Sequence, residues 1–142
     1  MLAVGQIALL EKLYGTVVIP PVVGQELRRG HAILPDFVRE ILVQDRAYIL
    51  HLAAELDSGE AEAIALAKEL KADALLIDEL TGRTVARREG VPFVGLLGVL
   101  IQAKQKGLIP AVGPLMTQLK DQADFFISER LRAEILELVG EV

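Results

Sequence analysis

Three carboxylates occupy positions from which they could act together. Asp78 follows directly on the apolar run Leu75-Leu76-Ile77, Glu60 lies in the first turn of the helical stretch before that run, and Glu26 lies in the helical stretch after the β-branched run Thr16 to Ile19. In open parallel sheets, ligands bind just beyond the carboxyl ends of the strands, which is where such residues collect. Carboxylates drawn together from separate elements repel one another unless a proton or a divalent cation stands between them. Hard oxygen ligands with open positions select Mg²⁺ or Mn²⁺. Such an ion activates water and stabilises the charge that develops on a phosphodiester, so the set points to metal-assisted cleavage of nucleic acid.

Each acid also has a plain structural reading. Glu60 stands three residues after Asp57, the spacing of a capping box. Asp78 sits where a strand gives way to a helix and would serve as an N-cap or turn residue. Glu26, between Gln25 and Arg28, reads as a solvated helix acid, and Glu62 and Glu79 read as surface charges. Arg83, Arg87 and Arg88 lie a few residues beyond Asp78, where they suit an RNA backbone and equally suit an exposed helix.

Other chemistries find little support. The chain has no Cys, which removes disulfides, thiol nucleophiles and thiolate metal sites and fits a reducing, cytoplasmic compartment. Its two histidines, His31 and His51, share no metal-ligand spacing and read as surface or loop residues. There is no nucleophile elbow, Walker loop or dinucleotide fingerprint. The Gly95-x-x-Gly98 turn could seat a phosphate at a helix N-terminus, but a tight strand-to-helix turn explains two glycines as well.

The elements that must position these residues follow from composition and pattern. A chain of 142 residues is the size of one domain, and it is read as a single domain over residues 1–142. With 52% apolar residues and only 4% aromatic ones, the core must be layered Leu, Val, Ile and Ala, which suits helices over a parallel sheet. Mean hydropathy is +0.41, yet the most apolar stretch, Val91 to Ala103, is too short to span a bilayer and is broken by Pro92, Gly95 and Gly98. No signal peptide is expected, because the first residues lack a basic segment and a cleavage site. A net charge of −5 argues against gripping nucleic acid by an overall basic surface, and leaves room for a site in which cations supply the positive charge.

Periodicity predicts helices over Leu2–Leu13, Val22–Leu27, Asp36–Val43 (opened by Pro35), Glu60–Lys71, Thr81–Glu89, Leu96–Lys106, Pro114–Lys120 and Ser128–Leu138. Strands are predicted at Thr16–Ile19, Tyr48–Leu50, Ala74–Ile77 and Val91–Val94. Strands alternating with helices imply βαβ crossovers and a mostly parallel sheet, hence an α/β fold.

The segments IPPVVGQEL, DSGEAEAIALAKEL and ALLIDELTGRTVARREGVPFVGLLGVLIQAKQKGLIP together resemble the PIN-domain proteins, in particular the bacterial predicted nucleic-acid-binding branch related to VapC-type toxins. The similarity runs from about residue 4 to the C-terminus, and its most specific parts are Gly-Glu-x-Glu-Ala-Ile-x-Leu-Ala from Gly59 and Asp-Glu-x-x-Gly-Arg from Asp78. The resemblance implies a three-layer domain with a parallel sheet of about five strands between helices. It also implies a Mg²⁺- or Mn²⁺-dependent endoribonuclease with Glu26, Glu60 and Asp78 as catalytic and metal-binding acids; of the basic cluster beyond Asp78, Arg83 is the residue expected on the RNA. Toxin relatives act beside an antitoxin and self-associate, so an antitoxin protein and a homo-oligomer are the partners it suggests. The alternative is a non-catalytic module binding RNA or protein on the same scaffold.

One departure stands out. Family members open with a strand ending in Asp, and that Asp has no counterpart in this sequence. A preceding strand is therefore expected roughly 10 to 15 residues upstream; in its absence the expectation is a gapped or rearranged sheet, a substitute strand from a neighbouring subunit, or low stability, together with weak metal binding.

Overall fold

The computed structural model describes residues 4–30, 36–123 and 125–142. The elements run α1 (Val4–Tyr14), β1 (Val17–Ile19), α2 (Pro21–Gly30), β2 (Val38–Glu40), α3 (Arg46–Leu52), α4 (Ser58–Leu70), β3 (Leu75–Leu76), α5 (Leu80–Arg88), β4 (Phe93–Val94), α6 (Leu96–Gln105), α7 (Gly113–Ala123) and α8 (Glu129–Leu138). They form two compact units, one of Thr16–Leu96 and one of Met1–Gly15 with Leu97–Val142. The fold is mixed α/β with short parallel sheets, as the alternation of patterns predicts.

Within Thr16–Leu96 the β-branched residues of β1 extend and pair in parallel with β2, Val17 opposite Val38 and Ile19 opposite Glu40. The Val17 N–H donates to the Phe37 carbonyl at 3.0 Å, and the Ile41 N–H donates to the Ile19 carbonyl at 2.9 Å. This corrects the helix expected over Asp36–Val43: Val38 and Ile41 favour extended backbone, and β1 offers a ladder that an isolated helix cannot match. Pro35, its expected first residue, lies outside the described residues, as does His31. The second sheet pairs β3 with β4, also in parallel, Leu75 opposite Phe93 and Leu76 opposite Val94. Among the described residues these are two separate two-stranded sheets, and no strand pairs with the other edge of β1 or β3. The single sheet of about five strands that the resemblance implies is thus not present among them.

The strand expected at Tyr48–Leu50 is instead part of α3. The Asp45 carboxylate caps this helix by accepting the Tyr48 N–H at 3.0 Å, and Ile49 and Leu52 turn inward. Asp45 starts a helix that three apolar residues alone do not reveal. His51 is exposed on this helix and stacks on Tyr48, in keeping with its expected surface position.

Helix α4 carries the core of this unit. Asp57 caps it by accepting the Glu60 N–H at 2.9 Å. Gly59, Ala61, Ile64, Ala65, Leu66 and Ala67 are buried, and small residues on this face let β3, α3 and the following elements approach closely. Ile64 packs with Val43, Leu52, Ile77, Val85 and Val91 in one apolar cluster. Lys71 ends the helix in the left-handed region at φ 51, and its N–H reaches back to the Ala67 and Lys68 carbonyls.

The unit of Met1–Gly15 and Leu97–Val142 is helical. Leu9, Leu10, Val99, Leu100, Ala103, Val112, Met116, Leu119, Ile127 and Ile135 are buried, and Ser128 caps α8 by accepting the Leu131 N–H. Glu141 closes the start of α7. Its carboxylate accepts the Val112 N–H at 2.6 Å, the Gly113 N–H at 2.9 Å and the Lys104 Nζ at 2.9 Å. No described helix is long and apolar enough to cross a membrane.

Candidate active site

The three acids lie within Thr16–Leu96, each on a different element, and each rests against a glycine of a neighbouring element. Glu26 of α2 faces the first turn of α4: a β-carbon at Gly59 would stand 3.2 Å from its Oε1 and 3.6 Å from the Asp57 Oδ1. Glu60 of α4 faces the first turn of α5, where a β-carbon at Gly82 would stand 2.8 Å from its Oε2. Asp78, directly after β3, faces the turn after β4, where a β-carbon at Gly95 would stand 2.9 Å from its Oδ1. A side chain at any of these glycines would crowd the acid, so the spacing between elements depends on their being bare.

The capping reading of Glu60 is half met. Asp57 caps its N–H, and the Glu60 carboxylate lies against Gly82 with the Asp57 and Glu79 carboxylates close by. Partial burial is the main reason its pKa rises from 4.5 to about 7, and the nearby Asp57 and Glu79 charges push it the same way. A carboxyl pKa raised this far is uncommon among purely structural acids.

Asp78 is engaged differently. Its Oδ1 accepts the N–H of Leu96, the first residue of α6, at 2.9 Å, and pairs with the Arg83 Nη2 at 3.5 Å. It therefore does not cap α5, whose N-cap is Glu79 with no side-chain bond. Arg83 also donates through Nε to the Ile77 carbonyl at 3.0 Å. Its guanidinium and that of Arg87 lie 5.9 Å and 5.3 Å from the centre of the Phe93 ring. Of the basic cluster, Arg83 thus faces inward onto the acid edge. Arg88 is taken up by Glu55 and Glu89.

The structure brings Glu26 alongside the start of the helix that carries Glu60, and Glu60 alongside Asp57 and Glu79; Asp78 stands one step further, at Gly95. Carboxylate oxygens are the right donors for Mg²⁺ or Mn²⁺. Their placement is not: among the described residues, no group of three or more His, Cys, Asp or Glu side chains is positioned to hold a metal ion. The participants that sequence reasoning missed are Asp57 as a charge partner and the three glycines, whose only signal is their spacing from the acids. A cleft of about 250 Å³ lined by Asp45, Tyr48, Ala65, Lys68 and Glu69 borders none of the three acids. Its polar groups are already matched, Glu69 to the Gln44 and Asp45 N–H groups and Tyr48 to Glu89.

Residues 1–141 match a family model described as a PIN domain. No curated protein and no solved structure matches the chain.

Proposed function

Because this chain belongs to the PIN-domain family, we propose that it acts on RNA as an endoribonuclease whose working acids are Glu26, Glu60 and Asp78. The observation that carries this reading is the PIN-domain match over residues 1–141; it is supported by Glu60, which is partly buried against Gly82 with Asp57 and Glu79 close by and has its pKa pushed up to about 7. A group with a pKa near the working pH is suited to take a proton from an attacking hydroxyl or to return one to a leaving oxygen. Asp78 holds the Leu96 N–H and Arg83 in place beside it, and Glu26 adds negative charge at the start of α4. Mg²⁺ or Mn²⁺ is the cofactor the resemblance implies. If bound it would neutralise phosphate charge, and Glu26, Glu60 and Asp78 would have to draw closer than they are placed to hold it. An antitoxin partner, self-association and a cytoplasmic setting rest on the family resemblance and on the absence of cysteine.

A second reading, a non-catalytic RNA- or protein-binding module, draws on the engagement of Asp78 by Arg83 and on the lack of a three-acid cluster among the described residues. Cleavage of labelled RNA decides between them. Asp78→Asn and Glu60→Gln should each lower the rate by about a hundredfold or more, with cooperative melting retained. Unchanged cleavage by Asp78→Asn at matched metal and salt, or RNA bound but uncut by the unsubstituted protein, favours the binding module.

A further inference from the structure

We propose that Arg83 is the built-in counter-cation of the acid edge: its guanidinium fills the place beside Asp78 that a divalent ion would need, so the acids take up an ion only when Arg83 is removed or displaced. This inference rests on the reading of Asp78 as a working acid and concerns which positive charge stands beside it.

Four features place the guanidinium. Nε is fixed on the Ile77 carbonyl at 3.0 Å, the last backbone position before Asp78. The guanidinium carbon lies over the Phe93 ring on the adjacent strand, 5.9 Å from its centre. Gly95 leaves the space that Nη2 occupies, since a β-carbon there would overlap it. Nη2 then stands 3.5 Å from the Asp78 Oδ1, which is already spent on the Leu96 N–H. Ile77 and Phe93 would hold Arg83 in this position even without Asp78.

A cation approaching Asp78 therefore meets a fixed positive charge within a few ångströms, at a site only about a third exposed on either side chain. Repulsion there is screened less than at an open surface. The contact of 3.5 Å is nevertheless longer than a tight charge-assisted bond, so the pair is loose enough to open.

The test reads Mn²⁺ uptake directly, from the loss of the free-ion paramagnetic resonance signal at low salt and without RNA. The unsubstituted protein should bind Mn²⁺ weakly. Arg83→Gln should bind about tenfold more tightly or better, Arg83→Lys should remain weak because it keeps the charge, and Asp78→Asn added to Arg83→Gln should abolish the gain. Arg83→Met serves as a second variant should Arg83→Gln fail to melt cooperatively. It removes the positive charge, keeps an apolar side chain beside Phe93 and leaves Asp78 and Gly95 untouched, so it too should gain Mn²⁺ affinity. Equal Mn²⁺ binding by the unsubstituted protein and the folded variants overturns the proposal, as does no binding by any of them. Failure to cut RNA would sink the proposed activity and leave this result standing, because no RNA enters the measurement.

Discussion

Glu60 and Glu141 carry the same chemical group into opposite circumstances. Glu141 meets two backbone N–H groups and a lysine, and its pKa falls from 4.5 to about 2, the Val112 N–H being the largest cause. Glu60 meets partial burial and two further acids, and its pKa rises to about 7. The first carboxylate is fully spent on closing a helix. The second is left wanting a proton or a cation, and that unmet demand, more than the count of acids, is what the proposed function draws on.

The largest effect should come from removing the satisfied partner. Glu141→Ala leaves the Val112 and Gly113 N–H groups and Lys104 without their acceptor, and should cost about 2–3 kcal/mol, seen as a fall in melting temperature of roughly 5–10 °C at pH 7. Because the folded-state pKa is depressed, this contribution is present above the ordinary value of 4.5 and is lost as pH falls towards about 2. The gap between Glu141→Ala and the unsubstituted protein should therefore narrow at pH 3.5. An equal gap at both pH values would remove the contrast between the two acids.

Glu60 should behave in the reverse sense. Its pKa is raised on folding, so the folded state loses stability as pH rises from 4.5 through about 7. Allowing for solvent screening of a partly exposed group, Glu60→Gln should stabilise the protein by about 1 kcal/mol at pH 8 and change little at pH 4. A destabilised variant at pH 8 would place Glu60 among the structural acids. The smallest change in stability, within about 0.5 kcal/mol, is expected for Asp57→Asn, since asparagine caps as well as aspartate. It would still remove the neighbouring charge, and the Glu60 carboxyl, followed by carbon NMR, should titrate measurably below about 7. An unmoved midpoint would leave burial and the Glu79 charge as the causes.

What could be read from the sequence divides along the range of the interactions. Helix α4 and its Asp57 cap were legible because capping acts over three residues. So were β1, β3 and β4, whose apolar runs are short and bounded by turn residues. The segment Asp36–Val43 was misread as helix because its partner is β1, some twenty residues earlier. Arg83 was legible as a basic residue close to Asp78, whereas its inward placement depends on Phe93 in the next strand and Gly95 just after it. Glu141 gave no local sign at all: its donors lie 28 to 37 residues away.

The bare glycines have a consequence for how such a protein could decay over generations. An alanine arising at Gly82 adds one methyl group, changes no charge and spares every acid, yet it would crowd the Glu60 Oε2 from 2.8 Å and press on Ile77. At Gly59 the intrusion on Glu26 is milder, at 3.2 Å. The same alanine in an exposed helix position would be neutral or favourable. A lineage could thus keep Glu26, Glu60 and Asp78 intact while the edge they form is bent out of use by a substitution that looks harmless. The later loss of an acid would then meet no resistance from selection, so the sequence record of inactivation would begin at the glycines.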